Sequence, residues 1–205
     1  MKLYGFPGSG SAIVEAQLAV YGLPAALIDG DPAEDAAAHA RIAALNPLLQ
    51  VPVLELDDGK LLTESAAMTL CLADLTGRED LVPAVRAPER AAFLRWLIFL
   101  VANIYPCFTY ADEPSRFVAE PQAAKSFRAA VDAHQQRLWM QVEQAAVGPW
   151  FLGDRFSALD IYLAVMIHWR PRPVWFTSHA RKLTAAAVAA TARGDVGPVI
   201  TRHFG

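Results

Sequence analysis

Two stretches of this chain gather polar side chains where they can do chemistry. The first is Pro7-Gly8-Ser9-Gly10-Ser11, which follows a short apolar run at Lys2–Phe6 and precedes a helical pattern over Ala12–Tyr21. A loop joining a strand to a helix N-terminus carries unpaired N–H donors and partial positive charge, so it suits an anion. Ser9 and Ser11 add hydroxyls there, and N-capping is the plain alternative for both. The second stretch runs from Asn46 to Thr69 as NPLLQVPVLELDDGKLLTESAAMT. Val51–Leu56 reads as a strand that starts at a proline, where no ladder donor is needed. Asp57-Asp58-Gly59-Lys60 supplies a turn, because glycine accepts positive φ. Leu61–Thr63 returns, and Glu64-Ser65 opens an apolar-periodic helix over Ala66–Leu75. A hairpin feeding a helix start presents N–H groups suited to a carboxylate or phosphate.

The elements needed to hold these stretches follow from pattern. Gly22-Leu23-Pro24 ends the first helix in the usual order of Gly then Pro. Ala25–Ile28 is a second strand, and Asp31-Pro32 begins a weakly amphipathic, alanine-rich helix that reaches Leu45. The order is therefore βαβαββα. The 205 residues allow one large or two small domains, and 54% hydrophobic against 19% charged residues argues against extended disorder. A net charge of −3 without a Lys/Arg run argues against nucleic acid. No uninterrupted apolar run approaches the roughly 18 residues of a membrane span, and the first residues lack a signal peptide's apolar core. Cys71 and Cys107 show no CxxC spacing, and the five histidines form no metal signature, so no metal is expected. A cytoplasmic location with free thiols is the corresponding expectation.

Gln50-Val51-Pro52 ahead of the hairpin, Glu64-Ser65 behind it, and Tyr4-Gly5-Phe6-Pro7-Gly8-Ser9 in front resemble the glutathione transferase family, in its bacterial, serine-loop form. The resemblance implies a thioredoxin-like N-terminal α/β domain followed by an all-α helical domain. It implies a cis-proline at Pro52, a backbone clamp for the cysteinyl part of glutathione at Val51, and polar contacts from Gln50, Glu64 and Ser65. It makes Ser9 the donor to glutathione sulfur, with Ser11 the rival; such a donor favours thiolate over thiol. Family members that use cysteine carry it where this chain has Gly10. The basic residue the family sets just before Val-Pro is replaced by Leu49, leaving His39 and Arg41 as substitutes for the glycyl carboxylate.

The second half reads as helices. Thr76–Asp80 closes the first domain, giving domains at 1–77 and 86–205 joined by 78–85. A helix from Pro88-Glu89-Arg90 runs through Phe93, Trp96, Leu97, Leu100 and Ile104, and Pro106 is expected to end or kink it. Tyr105 and Phe108 beside that break are candidates for an apolar co-substrate pocket, Tyr105 by the resemblance as well. A long helix follows over Ala123–Ala146, then Gly148-Pro149. Phe-Leu-Gly-Asp and Ser157-x-x-Asp160-Ile161 predict a capping box, with Phe156 stapled onto Ile161, before a nearly all-apolar helix. That box is structural in the family. Trp169–Trp175, with Arg and Trp interleaved by prolines, has the look of a recognition motif, and a stiff connector between helices explains it at least as well.

The function this implies is activation of glutathione, a co-substrate, as a thiolate that attacks a small hydrophobic electrophile, in a homodimer. A glutathione-dependent peroxidase or disulfide reductase is the enzymatic alternative. A non-catalytic interaction protein with a transferase-like fold is the other.

Overall fold

A computed structural model describes residues 1–205 and divides them into two compact units. The first holds Met1–Val82 together with Val188–Gly205, and the second holds Pro83–Ala187. The sequence pattern assigns residues 86–205 to one domain. Residues 188–205 instead group with the N-terminal unit, because the last helix packs on the first.

The first unit is a thioredoxin-like βαβαββα array. Strands β1 (Lys2–Gly5), β2 (Ala26–Asp29), β3 (Val53–Glu55) and β4 (Leu61–Leu62) form one sheet in the order β2-β1-β3-β4. The β1–β2 pair is parallel, joined through helix α1 (Ser11–Tyr21), and the β1–β3 and β3–β4 pairs are antiparallel. Alternation sorts the two faces. Tyr4 and Val53, opposite each other, pack with Ile42 and Leu45 of helix α2 (Ala36–Leu45). Leu3 and Leu54, also opposite each other, point the other way and are fully buried. Helix α1 packs on β1 and on helix α3 (Ser65–Thr76), and a buried Gln17–Thr69 hydrogen bond of 3.0 Å joins the two helices.

The second unit is helical. Helix α4 (Arg90–Phe99) passes through a π-helical stretch at Leu100–Ile104 into helix α5 (Tyr105–Asp112). Pro106 therefore neither ends nor sharply interrupts the helix. Its missing N–H and its ring would conflict with an ordinary turn; the wider turn, with Tyr105 N–H donating to the Leu100 carbonyl, accommodates it. The uninterrupted helix Arg90–Asp112 is long and apolar enough to cross a membrane by length and composition alone, a property that core helices share. It was not visible as an apolar run because Arg95 and Asn103 interrupt it. Helix α6 (Ala124–Ala145) packs on α5, and helix α7 (Ala158–Met166) is buried along its whole length. Helix α8 (Pro173–His179) sets Phe176 edge-on against Trp139, centroids 5.0 Å apart. The division between units falls inside helix α9 (Arg181–Thr191), and helix α10 (Gly197–Phe204) closes the chain. Glu143 of α6 accepts from the Lys182 and Leu183 N–H groups, satisfying the start of α9 from outside it.

Candidate active site

The candidate residues of the first unit meet at one end of the sheet. Tyr4 lies opposite Val53, and Leu54 opposite Leu62. Following those registers, Gly5, Pro52 and Glu64 reach that end side by side. Helix α1 starts just beyond Gly5, and α3 just beyond Glu64.

At the α1 start the chain is drawn tightly over the strand end. A Cβ on Gly5 would lie 2.2 Å from both Cβ and Oγ of Ser11, so only glycine permits this approach. Ser9 and Ser11 are buried, and their hydroxyls lie 2.8 Å apart. Ser9 Oγ accepts from the N–H groups of Phe6 and Ser11, both at 3.3 Å, and Ser11 Oγ donates to the Phe6 carbonyl at 3.4 Å. The N-cap position belongs to Gly10, already helical at φ −62°, ψ −12°, and no side chain caps there. Ser11 is thus the first helical residue and not the cap, while Ser9 Oγ takes the Ser11 N–H in a serine turn and the Phe6 N–H behind it. The two serines, alternatives in the sequence reading, form one coupled pair.

At the α3 start, Glu64 takes the N-cap position with φ +64°, ψ 105°, and makes no side-chain cap. Its side chain is exposed while Ser65 is buried. Thr69 Oγ1 donates to the Ser65 carbonyl at 2.9 Å and accepts from Gln17, tying this helix start to α1. The Val51–Pro52 peptide is cis, with Val51 half-buried and Gln50 exposed. Asn46 organises the approach to them and was missed as a positioning residue. Its amide donates to the Gln50 carbonyl at 2.9 Å and accepts from the Leu48 N–H. The signal was an Asn-Pro pair opening the loop. Leu49, where the basic residue was sought, sits at φ +56°. His39 is exposed, with Nδ1 3.1 Å from the Pro32 carbonyl, and Arg41 is half-buried on the same helix.

Tyr4 donates to Glu55 at 2.7 Å, and that bond, with burial, raises its pKa. Cys71 and Cys107 are free thiols, and burial pushes both upward, away from thiolate.

In the second unit Tyr105, Phe108 and Trp169 form an aromatic triangle with centroids 5.3–6.0 Å apart, every pair edge-to-face. A concavity of about 390 Å³ in the same unit is lined by Asp132, Gln135, Gln136 and by Arg170, Pro171 and Arg172 of the Arg/Trp/Pro stretch. Arg170 there is already paired with Asp112 and Asp132, so its charge is neutralised locally.

Comparison with known proteins places this geometry in context. The family described as "Glutathione S-transferase, N-terminal domain" matches residues 13–75. The chain is 35% identical over 205 residues to the "Uncharacterized GST-like protein YncG" of Escherichia coli strain K12, covering 99% of this chain and 98% of that protein. Among solved structures, a glutathione transferase homologue from Sulfitobacter with bound glutathione superposes with a TM-score of 0.86, at 27% identity over 97% of this chain and 95% of the other. BphK, a bacterial GST solved as a ternary complex, superposes with a TM-score of 0.81, at 28% identity over 98% of each chain.

Proposed function

Because the chain belongs to the glutathione S-transferase family, we propose that it is a glutathione transferase acting on a small hydrophobic electrophile. Glutathione binds at the sheet end, its γ-glutamyl group on Glu64 and Ser65 and its cysteinyl backbone along Val51, beside Gln50 and Pro52. The glycyl carboxylate falls to His39 or Arg41. The observation that carries this reading is the pair of helix starts, α1 and α3, that meet at one sheet end without a side-chain cap. Both helix dipoles point at that end, where negative charge is favoured, and the Ser9 and Ser11 hydroxyls stand in front of α1. Glu64 adds to it: a non-glycine residue at φ +64° costs about 1–3 kcal/mol, and such strain gathers at binding sites.

The chemistry follows from the serine pair. Ser11 Oγ turns its proton from the Phe6 carbonyl to Ser9 Oγ, which frees the Ser9 O–H to donate to sulfur. The donor favours thiolate, so a thiol that begins near pKa 8.5 loses its proton to solvent more readily. The thiolate then forms a C–S bond to the electrophile, either adding to it or displacing a halide that leaves with the bonding pair. Within the second unit, the Tyr105–Phe108–Trp169 triangle is the apolar surface proposed for a hydrophobic co-substrate. The raised thiols of Cys71 and Cys107 lend no support to a reductase working through its own cysteines. The enzyme works as a cytoplasmic homodimer, a state that light scattering at micromolar concentration reads directly.

Replacing Glu64 and Ser65 together by Ala tests the binding half. Glutathione affinity should weaken by about 2 kcal/mol or more, the scale of charge-assisted hydrogen bonds. Unchanged affinity by calorimetry would remove the reading.

A further inference from the structure

The carboxy-terminal helix reaches the serine loop through one buried histidine. The His203 side chain is fully buried, and its Nδ1 lies 3.1 Å from the Gly8 N–H, one residue before Ser9. Gly8 sits at φ +82°, where a Cβ would lie 3.8 Å from the His203 carbonyl oxygen, so the two segments are in close approach. On the other side of the ring, Nε2 lies 2.9 Å from Glu15 Oε2. Arg202 donates to that same oxygen at 2.8 Å and pairs with Asp29 on β2.

The tautomer follows from the partners. A backbone N–H can only donate, so Nδ1 carries the lone pair, and the proton of a neutral ring sits on Nε2, facing the Glu15 carboxylate. The 3.0 Å approach of Arg202 Nη1 to Nε2 is then a contact between two donors sharing one oxygen, not a hydrogen bond between them. The ring is held from α1 at one edge and holds the loop with the other.

We propose that His203 is a positioning residue for thiol activation: it fixes Gly8, and through Gly8 the orientation in which Ser9 meets the sulfur. The proposal rests on the transferase reading above for its catalytic part only. The Phe6–Ser11 loop makes its own hydrogen bonds around Ser9, but none of them sets the loop against the rest of the unit. The Gly8–His203 bond does, across 195 positions of sequence. A sulfur donor must be held within about half an ångström of its working position to be of use, and a six-residue loop with glycines on both sides of Ser9 lacks that stiffness by itself.

The test uses the full chain in three steps. In the unaltered protein, nitrogen NMR of the His203 ring should show an unprotonated Nδ1 and a protonated Nε2; the opposite tautomer overturns the proposal. His203→Phe keeps a ring and removes the acceptor, whereas His203→Asn sets an oxygen near the Nδ1 position. Gly8 amide exchange should speed at least tenfold in the Phe variant and recover in part with Asn; equal exchange in all three proteins overturns it. With glutathione and an aryl halide, His203→Phe should lower kcat tenfold or more while KM for glutathione stays within twofold. The bound thiol should titrate about one unit higher, and Asn should restore part of both effects. A loss of kcat and of glutathione affinity in equal measure overturns the positioning role. If His203→Phe does not fold, the tautomer and the Asn variant decide. Absence of any glutathione turnover in the unaltered protein overturns the transferase reading instead, and Gly8 exchange then decides the positioning alone.

Discussion

Helices α1 and α7 both have serine at their start, and they use it in different ways. At α7, Ser157 lies at φ −147°, ψ 175° and accepts from the Leu159 N–H, while the Asp160 carboxylate accepts from the Ser157 N–H at 2.9 Å. Asp160 also takes the Phe151 N–H at 2.8 Å and the Ser157 hydroxyl, and it is fully buried. The predicted capping box is there, and its side chains are spent on their own backbone. At α1 the serines bond to each other and to the loop, and no side chain caps the helix. The α1 start also satisfies its first N–H groups, Ser11 on Ser9 Oγ, Ala12 on the Ser9 carbonyl and Ile13 on the Gly10 carbonyl, but it leaves two coupled hydroxyls whose protons can turn toward a ligand. Residue type does not distinguish the two, because the deciding quantity is whether the hydroxyl proton is locked onto a buried carboxylate or can turn to another partner.

The largest effect should come from breaking the closed start. Asp160→Ala leaves two buried N–H groups without acceptors and should cost about 3–5 kcal/mol in denaturant unfolding at pH 7. A loss below about 1 kcal/mol would make the box ornamental. Asp160 also titrates in a telling direction. Burial pushes its carboxyl up to about 6, against hydrogen bonds from Phe151 and Ser157 that favour the charged form. Between about pH 4 and pH 6 the folded state therefore holds a proton that the unfolded chain has released. That contribution is present at low pH and lost as pH rises through 6. Relative to Asp160→Asn, the unaltered protein should lose up to about 3 kcal/mol between pH 4 and pH 7. A gap that does not change with pH refutes the assignment.

The open start should fail differently. Ser9→Ala should cut kcat by roughly 10²-fold, the scale of one lost oxyanion-type donor, with a smaller change in KM for glutathione. Its stability should fall by only about 1 kcal/mol. Ser11→Ala sharpens the comparison at the small end. Since Ser11 is not the cap, its loss should shift the thiol titration in the same direction as Ser9→Ala but by less. A Ser11 variant with lower stability and an unmoved titration would return it to the role of a plain helix cap.

Much of the architecture was legible because periodicity and punctuation agree along the chain. The βαβαββα order came from Gly22-Leu23-Pro24, the Asp-Gly turn and the alternating strands, all local signals. The capping box was readable for the same reason, since both its members lie within four residues. The partners of Glu143 and His203 were not legible. Glu143 caps a helix 39 positions away, and His203 meets a loop 195 positions away. No local pattern encodes either pairing. Pro106 shows the opposite failure, a strong local signal overridden when a wider turn kept the helix intact. At the site itself the candidate serines could be named from sequence, but their 2.8 Å coupling is a product of the Gly5–Ser11 approach.

The return of residues 188–205 to the first unit also bears on how the protein is made. Synthesis runs from the N-terminus, and domains tend to fold as units once complete. Here the first unit is interrupted: the ribosome must deliver all of Pro83–Ala187 before α10 exists. The nascent sheet must therefore wait with Glu15 lacking Arg202 and His203, and Gly8 lacking its acceptor. Contacts of such long sequence separation form late, after loop-closure entropy has been overcome. The serine loop would be among the last parts of the chain to take its final shape.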